Sequence, residues 1–200
     1  SFETHSGRIY YAFDRVKHNT DYTFNKDNGR IIAGQDFNRS PMATALFQKV
    51  SGKLIQFGEV FIKTGDTKQT CEEIARRFPE THVQFRPDAT GKRKTSNSAL
   101  SDFDIIKSFG YEIATETVNP RVVDRWAATN RAYEKGNVLI NVKECPYTVK
   151  DRETLCYKEG SCEPDLKDIW LGHISDAADY AIYREFPIII PQKSRIGFYA

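Results

Sequence analysis

Between Ile31 and Lys63 apolar residues fall in three runs split by turn residues, and from Thr67 onward the period of the pattern changes. That switch limits the fold more than any other feature of the chain. The first run, RIIAGQDFN at 30–38, is apolar and ends in an acid; it reads as a strand over about 31–37. A second strand is expected over 43–50, where Ala43, Ala45 and Phe47 alternate with Thr44 and Gln48. Ser51-Gly52 makes a tight turn, and a third strand follows over 53–63. Strands joined by turns this short must be antiparallel. From Thr67, a candidate N-cap, Cys71, Ile74, Ala75 and Phe78 recur at helical spacing until Pro79. A short strand is expected over 82–85, ending at Pro87-Asp88, then a Gly/Ser/Thr/Lys loop over 89–99. Ser101 or Asp102 opens a helix that Gly110 closes, and 111–114 reads as a strand. Asn119-Pro120 starts a helix to about Glu134, with proline in its first turn. Gly136 stops it, and 138–140 is another strand. The stretch 143–170 reads as irregular, and His173 to about Glu185 as the last helix.

Three antiparallel strands followed by strand–helix alternation make an α/β chain with one mixed sheet and helices on its faces. The order matches the RNase H-like fold, in which the first strand lies beside the fourth and parallel to it. Asp36 and Asp88 then stand at the carboxyl ends of neighbouring strands, the edge at which open α/β sheets bind ligands. The polar and aromatic segment 1–30 is expected to be an N-terminal arm, or a linker from a missing part of the polypeptide. Residues 31–200 are expected to be the domain itself. The start at SFETHSG, without Met, suggests a fragment.

With 200 residues, 40% of them hydrophobic and 28% charged, the chain can bury a substantial core, and a net charge of +2 does not by itself call for nucleic acid. Charge is concentrated locally instead: Lys92-Arg93-Lys94, and the series Arg121, Arg125, Arg131 and Lys135. Cys71, Cys145, Cys156 and Cys162 include no CxxC pair, so neither a zinc site nor a disulfide framework is expected, and reduced thiols are. There is no signal peptide and no apolar run as long as a membrane span.

Three acids occupy unusual positions. Asp36 ends a buried strand, where a carboxylate is costly to desolvate unless something positive binds it. Asp88 ends another, and Asp176 lies on the last helix, sharing a face with His173 and Tyr180. Each also has a plainer reading: an Asx turn for Asp36, turn chemistry for Asp88, and a helix-dipole contact for Asp176. What favours chemistry is proximity, because close carboxylates repel unless a cation lies between them. Hard oxygen ligands suit Mg²⁺ or Mn²⁺, and two such ions about 3.5–4 Å apart would support phosphodiester hydrolysis. Asp36 would bridge them. His173 would ligate, shuttle a proton or orient water, with its pKa pushed down by the cation. Glu59, an acid among Ile55, Phe57 and Phe61, is a fourth candidate ligand ranked below the aspartates. GKRK lacks the upstream glycine and the following Ser or Thr of a phosphate loop; Lys92, Arg93 and Lys94 read as contacts to a DNA backbone or as a solvated loop.

Four stretches together resemble the C-terminal nuclease domain of tailed-bacteriophage large terminases, the DNA-packaging motor subunits. They are GQDFNRSP, FRPDATGKRKTS, NPRVVDRWAATNRAYEKG with the later Cys145-Pro146, and HISDAADYAIYREFP. The resemblance implies an RNase H-like endonuclease that cuts concatemeric viral double-stranded DNA with Mg²⁺ or Mn²⁺. It places the acidic triad on Asp36, Asp88 and Asp176, with His173 beside it. Some relatives have Glu at the position of Asp88. It also implies an ATPase domain in the same polypeptide, portal protein and small terminase subunit as partners, and work in the host cytoplasm on the procapsid, with no membrane role. The competing readings are a junction resolvase or transposase-type nuclease, and a non-catalytic module that grips DNA or docks on the portal.

Overall fold

A computed structural model describes residues 7–92, 100–166 and 168–188. Among these residues six strands form one sheet: β1 (Ile31–Asp36), β2 (Met42–Val50), β3 (Lys53–Ile62), β4 (Val83–Pro87), β5 (Glu112–Ile113) and β6 (Val138–Ile140). Their order across the sheet is β5-β4-β1-β2-β3-β6. β1 to β3 are antiparallel, as their short turns require, and β1 pairs in parallel with β4, Ile31 opposite Val83 and Gln35 opposite Pro87. This is the mixed sheet read from the sequence, with the first strand beside the fourth.

The helices are α1 (Thr67–Arg77), α2 (Asp102–Ser108), α3 (Val122–Glu134), α4 (Pro146–Thr154) and α5 (His173–Glu185). One face of the sheet packs Ile32, Ala43, Ala45 and Phe47 against α5 and residues behind it; the other packs Ile31, Ala33, Leu46 and Phe57 against Cys71, Ile74 and Ile106 of α1 and α2. Being covered on both faces, β2 buries even Thr44 and Gln48, the residues that alternate with its apolar ones. The N-terminal segment packs on the α5 side, where Ile9, Tyr10 and Phe13 are buried.

Three expectations need correction. The N-cap of α1 is Asp66, whose side chain forms a capping box with Gln69, and Thr67 is already inside the helix. α3 begins at Val122, so Pro120 lies ahead of its N-cap Arg121 and not in its first turn. The stretch 143–170, expected to be irregular, contains α4. Its buried positions are Thr148, Val149, Asp151 and Arg152, a helical face made largely of polar residues that hydrophobic periodicity cannot show. Nor does it have a local side-chain N-cap. Its first turn is capped from afar by Glu59 on β3, which accepts hydrogen bonds from the backbone N–H of Tyr147 (2.7 Å) and from N–H and Oγ1 of Thr148 (3.0 and 2.8 Å).

α5 lies directly on β1. A methyl group at Gly34 would sit 2.1 Å from the Ala177 carbonyl oxygen and 3.2 Å from Ala181 Cβ. Backbone cannot yield as a side-chain end can, so Gly34→Ala must push α5 off the strand. We expect it to destabilise the domain by about 1–3 kcal/mol, the usual size of overpacking. Urea unfolding checks this; unchanged stability would mean that α5 is not seated on Gly34.

Candidate metal centre at the carboxyl edge of the sheet

The close packing of α5 on β1 sets the geometry of the site. Gly34 and Asp36 face the same way, because side chains alternate along a strand, so the strand that admits α5 at Gly34 carries its carboxylate up beside the first turn of that helix. His173 Nδ1 lies 3.0 Å from Asp36 Oδ2 and 3.3 Å from Asn38 Nδ2. Asp88 follows the last residue of β4, and its N–H donates to the Gln35 carbonyl at 3.1 Å, which holds the ends of β1 and β4 together. Its Oδ1 accepts from Asn119 Nδ2 at 2.8 Å and from the Thr90 N–H, so the turn reading of Asp88 is also realised.

Asp176, one turn beyond His173, accepts from Arg125 Nη2 at 3.1 Å. The Arg125 guanidinium lies 4.1 Å from the centre of the Tyr180 ring. Arg125 belongs to a series read as a local basic feature, and its side chain is turned inward and buried. Tyr180 shows how the acids are gathered. Burial first, and then the charges of Asp88, Asp176 and Asp36, push its hydroxyl up, against the opposing Arg125. The three predicted aspartates therefore act on one phenol.

The electrostatics carry surplus negative charge. Asp176 is pushed up to about 6, by burial first, with Asp179 and Asp36 adding and Arg125 opposing. Its side chain is still 38% exposed, so that burial is one-sided. On its other side it helps wall a groove of about 340 Å³ with Val122, Val123, Trp126 and Leu166. His173 is raised by its hydrogen bond to Asp36, against the burial that lowers it. A bound cation would reverse that direction; without one, Asp36 decides it.

His173 gives a pH test of the metal-free protein. Its folded pKa lies above the unfolded one, so its pair with Asp36 stabilises fully below about 6.5 and fades as pH rises through the raised value. Asp176 titrates lower, near 6. In EDTA, wild-type melting temperature should fall more steeply above pH 6.5 than that of His173→Ala. Parallel curves would leave the pair without energetic weight.

Behind the acids lies a buried network that the sequence reading missed. Asp179 accepts from Tyr10 Oη (2.7 Å), Thr129 Oγ1 (2.8 Å) and Arg152 Nη2 (2.7 Å), and both partners of the Arg152–Asp179 pair are fully buried. Asp151 Oδ2 accepts from the N–H groups of Gly172 and Ser175 and so caps α5; burial pushes its carboxyl up to about 7. Asp151 and Arg152 thus tie α4 to the helix that bears His173 and Asp176. The available signal was a run of charges, Lys150-Asp151-Arg152-Glu153, which looks like solvated surface.

The sequence-predicted residues are placed unequally. Asp36, Asp88, Asp176 and His173 gather at one edge. Glu59 turns its carboxylate to the N-terminus of α4. Lys92 is exposed at the end of the turn after Asp88, and Arg93 and Lys94 lie outside the described residues. Among the described residues no three His, Cys, Asp or Glu side chains stand at metal-binding spacing. The chemistry of the donor set nonetheless fits a hard divalent cation: three carboxylates of distant sequence origin, and a carboxyl pushed up partly by its acidic neighbours.

No protein-family model matches the chain, and no curated protein matches it by sequence. Solved structures do. The large terminase of a thermophilic bacteriophage is similar with a TM-score of 0.68 at 18% identity, over 88% of this chain and 45% of that one, so the chain spans under half of the length of that protein. The P22 large terminase nuclease domain gives 0.69 at 13% identity, over 90% of this chain and 94% of that domain. The nuclease domain of the bacteriophage SPP1 large terminase, solved with bound Mn, gives 0.57 at 16% identity over 84% and 94%. What this chain shares with the nuclease domains of bacteriophage large terminases is therefore their fold, a mixed RNase H-like sheet with helices on both faces.

Proposed function

We propose that this chain is the nuclease domain of a large terminase, a divalent-metal-dependent endonuclease that cuts concatemeric viral double-stranded DNA during packaging. The observation that carries the reading is the placement of Asp36 at the end of β1, of Asp88 at the end of the neighbouring β4, and of Asp176 one turn beyond the His173 that contacts Asp36. It is supported by fold likeness to terminase nuclease domains, one of which holds Mn.

Asp36, Asp88 and Asp176 would hold Mg²⁺ or Mn²⁺. When bound, a pair of such ions activates water and stabilises the leaving oxygen of an in-line displacement. The chain's own residues do the rest. Asp36 orients His173, which holds a proton at Nδ1 against Asp36 Oδ2 and keeps Nε2 free for a second partner. Asn119 and the Thr90 N–H fix the Asp88 carboxylate. Lys92, with Arg93 and Lys94, would neutralise DNA phosphates beside Asp88. In the full-length protein we propose an ATPase domain in the same polypeptide, with 1–30 as the connecting arm and 31–200 as the nuclease. Portal protein and small subunit would be partners, and packaging would take place in the host cytoplasm. No helix among the described residues is long and apolar enough to cross a membrane.

The test is cleavage of supercoiled plasmid with Mg²⁺, Mn²⁺ or EDTA. We expect nicked and linear products with either metal and none with EDTA. Cleavage that persists in EDTA would overturn the metal-dependent reading; DNA binding with no cleavage under any condition would favour the gripping module.

A further inference from the structure

Each of the three aspartates is already engaged by the protein: Asp36 by His173, Asp88 by Asn119 and the Thr90 N–H, Asp176 by Arg125. Arg125 differs from the other partners. It is a permanent cation, whereas a histidine can discharge and an amide is neutral. Its side chain is 3% exposed while that of Asp176 is 38% exposed, so the arginine is locked in place and the carboxylate keeps an open side. The lock has a second wall, since the guanidinium stacks over the Tyr180 ring at 4.1 Å from its centre. Arg125 Nε is buried with no hydrogen-bond partner among the described residues. A buried arginine with an unsatisfied donor is held there by charge and stacking, not by a complete hydrogen-bond set.

We infer that Arg125 is a built-in counter-cation of the acid cluster: a positioning residue that holds Asp176 in the metal-free protein and competes with the divalent ion for its carboxylate. The inference rests on the proposed metal site. The metal must take over part of the charge that Arg125 balances, so Arg125 sets the metal concentration at which the site fills.

The test is Mn²⁺ binding by isothermal titration calorimetry, without DNA, in wild type, Arg125→Met and Arg125→Lys, with folding checked by circular dichroism. Removing one unit charge a few ångström from a divalent ion should tighten binding by about tenfold or more at the effective dielectric of a partly solvated site. We expect that gain in Arg125→Met, with Arg125→Lys closer to wild type. Metal-free Arg125→Met should melt lower than wild type and be raised further by saturating Mn²⁺. Unchanged or weaker binding in a folded Arg125→Met overturns the competition. If that variant does not fold, the wild type answers by NMR: on Mg²⁺ addition the Arg125 Nε–H signal should shift along the binding curve, and an unmoved signal overturns the inference. Wild type that binds no Mn²⁺ while Arg125→Met does would show a stronger lock than inferred. Absence of binding in both overturns the metal site itself, an outcome distinct from equal binding in both, which overturns only the role of Arg125.

Discussion

Asp36→Asn is expected to abolish plasmid cleavage while the domain stays folded. We expect a loss of about a thousandfold or more, because at least ~4 kcal/mol of transition-state stabilisation goes with the carboxylate. The fold survives because an Asn amide oxygen can still accept from His173 Nδ1, and because Asp36 is at the end of β1, where its backbone pairing with Ala43 is untouched. In EDTA the melting temperature should change little: the variant loses charge attraction to His173 and is relieved of repulsion from Asp176. Asp88→Asn and Asp176→Asn should lose cleavage as well, each with less disturbance of His173. Rates near wild type in all three variants, on protein with normal circular dichroism, would remove these carboxylates from the chemistry and overturn the metal site proposed on them.

Arg152→Met is expected to lower stability by about 3–5 kcal/mol, the usual consequence of leaving one member of a buried ion pair without its partner. Against a total of about 5–15 kcal/mol for a domain, this leaves the variant at the margin of folding at 37 °C. The pair lies on the inner side of α5, where Asp179 also receives Tyr10 and Thr129, so the loss acts on the N-terminal segment, α3, α4 and α5 at once. Arg152→Met combined with Asp179→Leu should recover much of the loss, since replacing both charges removes the unpaired one. Urea unfolding of the two singles and the double gives the coupling. A single-variant loss under about 1 kcal/mol would show that Asp179 finds water or another donor.

Sequence and structure agree where local chemistry decides the outcome. The run Ile31-Ile32-Ala33 is apolar because β1 is covered on both faces, and Ser51-Gly52 turns β2 into β3 within two residues. Asp36, Asp88 and Asp176 stand out in the sequence as an acid ending an apolar strand, an acid at a strand end, and an acid beside the apolar stripe of a helix. α4 does not, since its cap comes from Glu59 and its buried face holds Asp151 and Arg152. Glu59 itself was an acid in apolar surroundings for the reason a ligand would be, a buried carboxylate with donors pointed at it; the donors are a helix end. Arg125 shows the same limit in reverse. One member of a basic series gives no sign of burial until the tyrosine and the aspartate it meets, both on α5, are placed by tertiary packing.

The seat of α5 on Gly34 has a consequence for how the protein is made. Among the described residues β1 is the first strand of the sheet and α5 the last helix, so the contact joins parts of the chain about 140 residues apart, and long-range contacts of this kind form late. As synthesis proceeds from the N-terminus, Asp36 and Asp88 leave the ribosome well before His173 and Asp176. The strands pair early, but the third acid and the histidine arrive only when α5 has emerged and found the glycine. A nascent or truncated chain therefore holds two acids of the three, and the full set exists only in the finished domain.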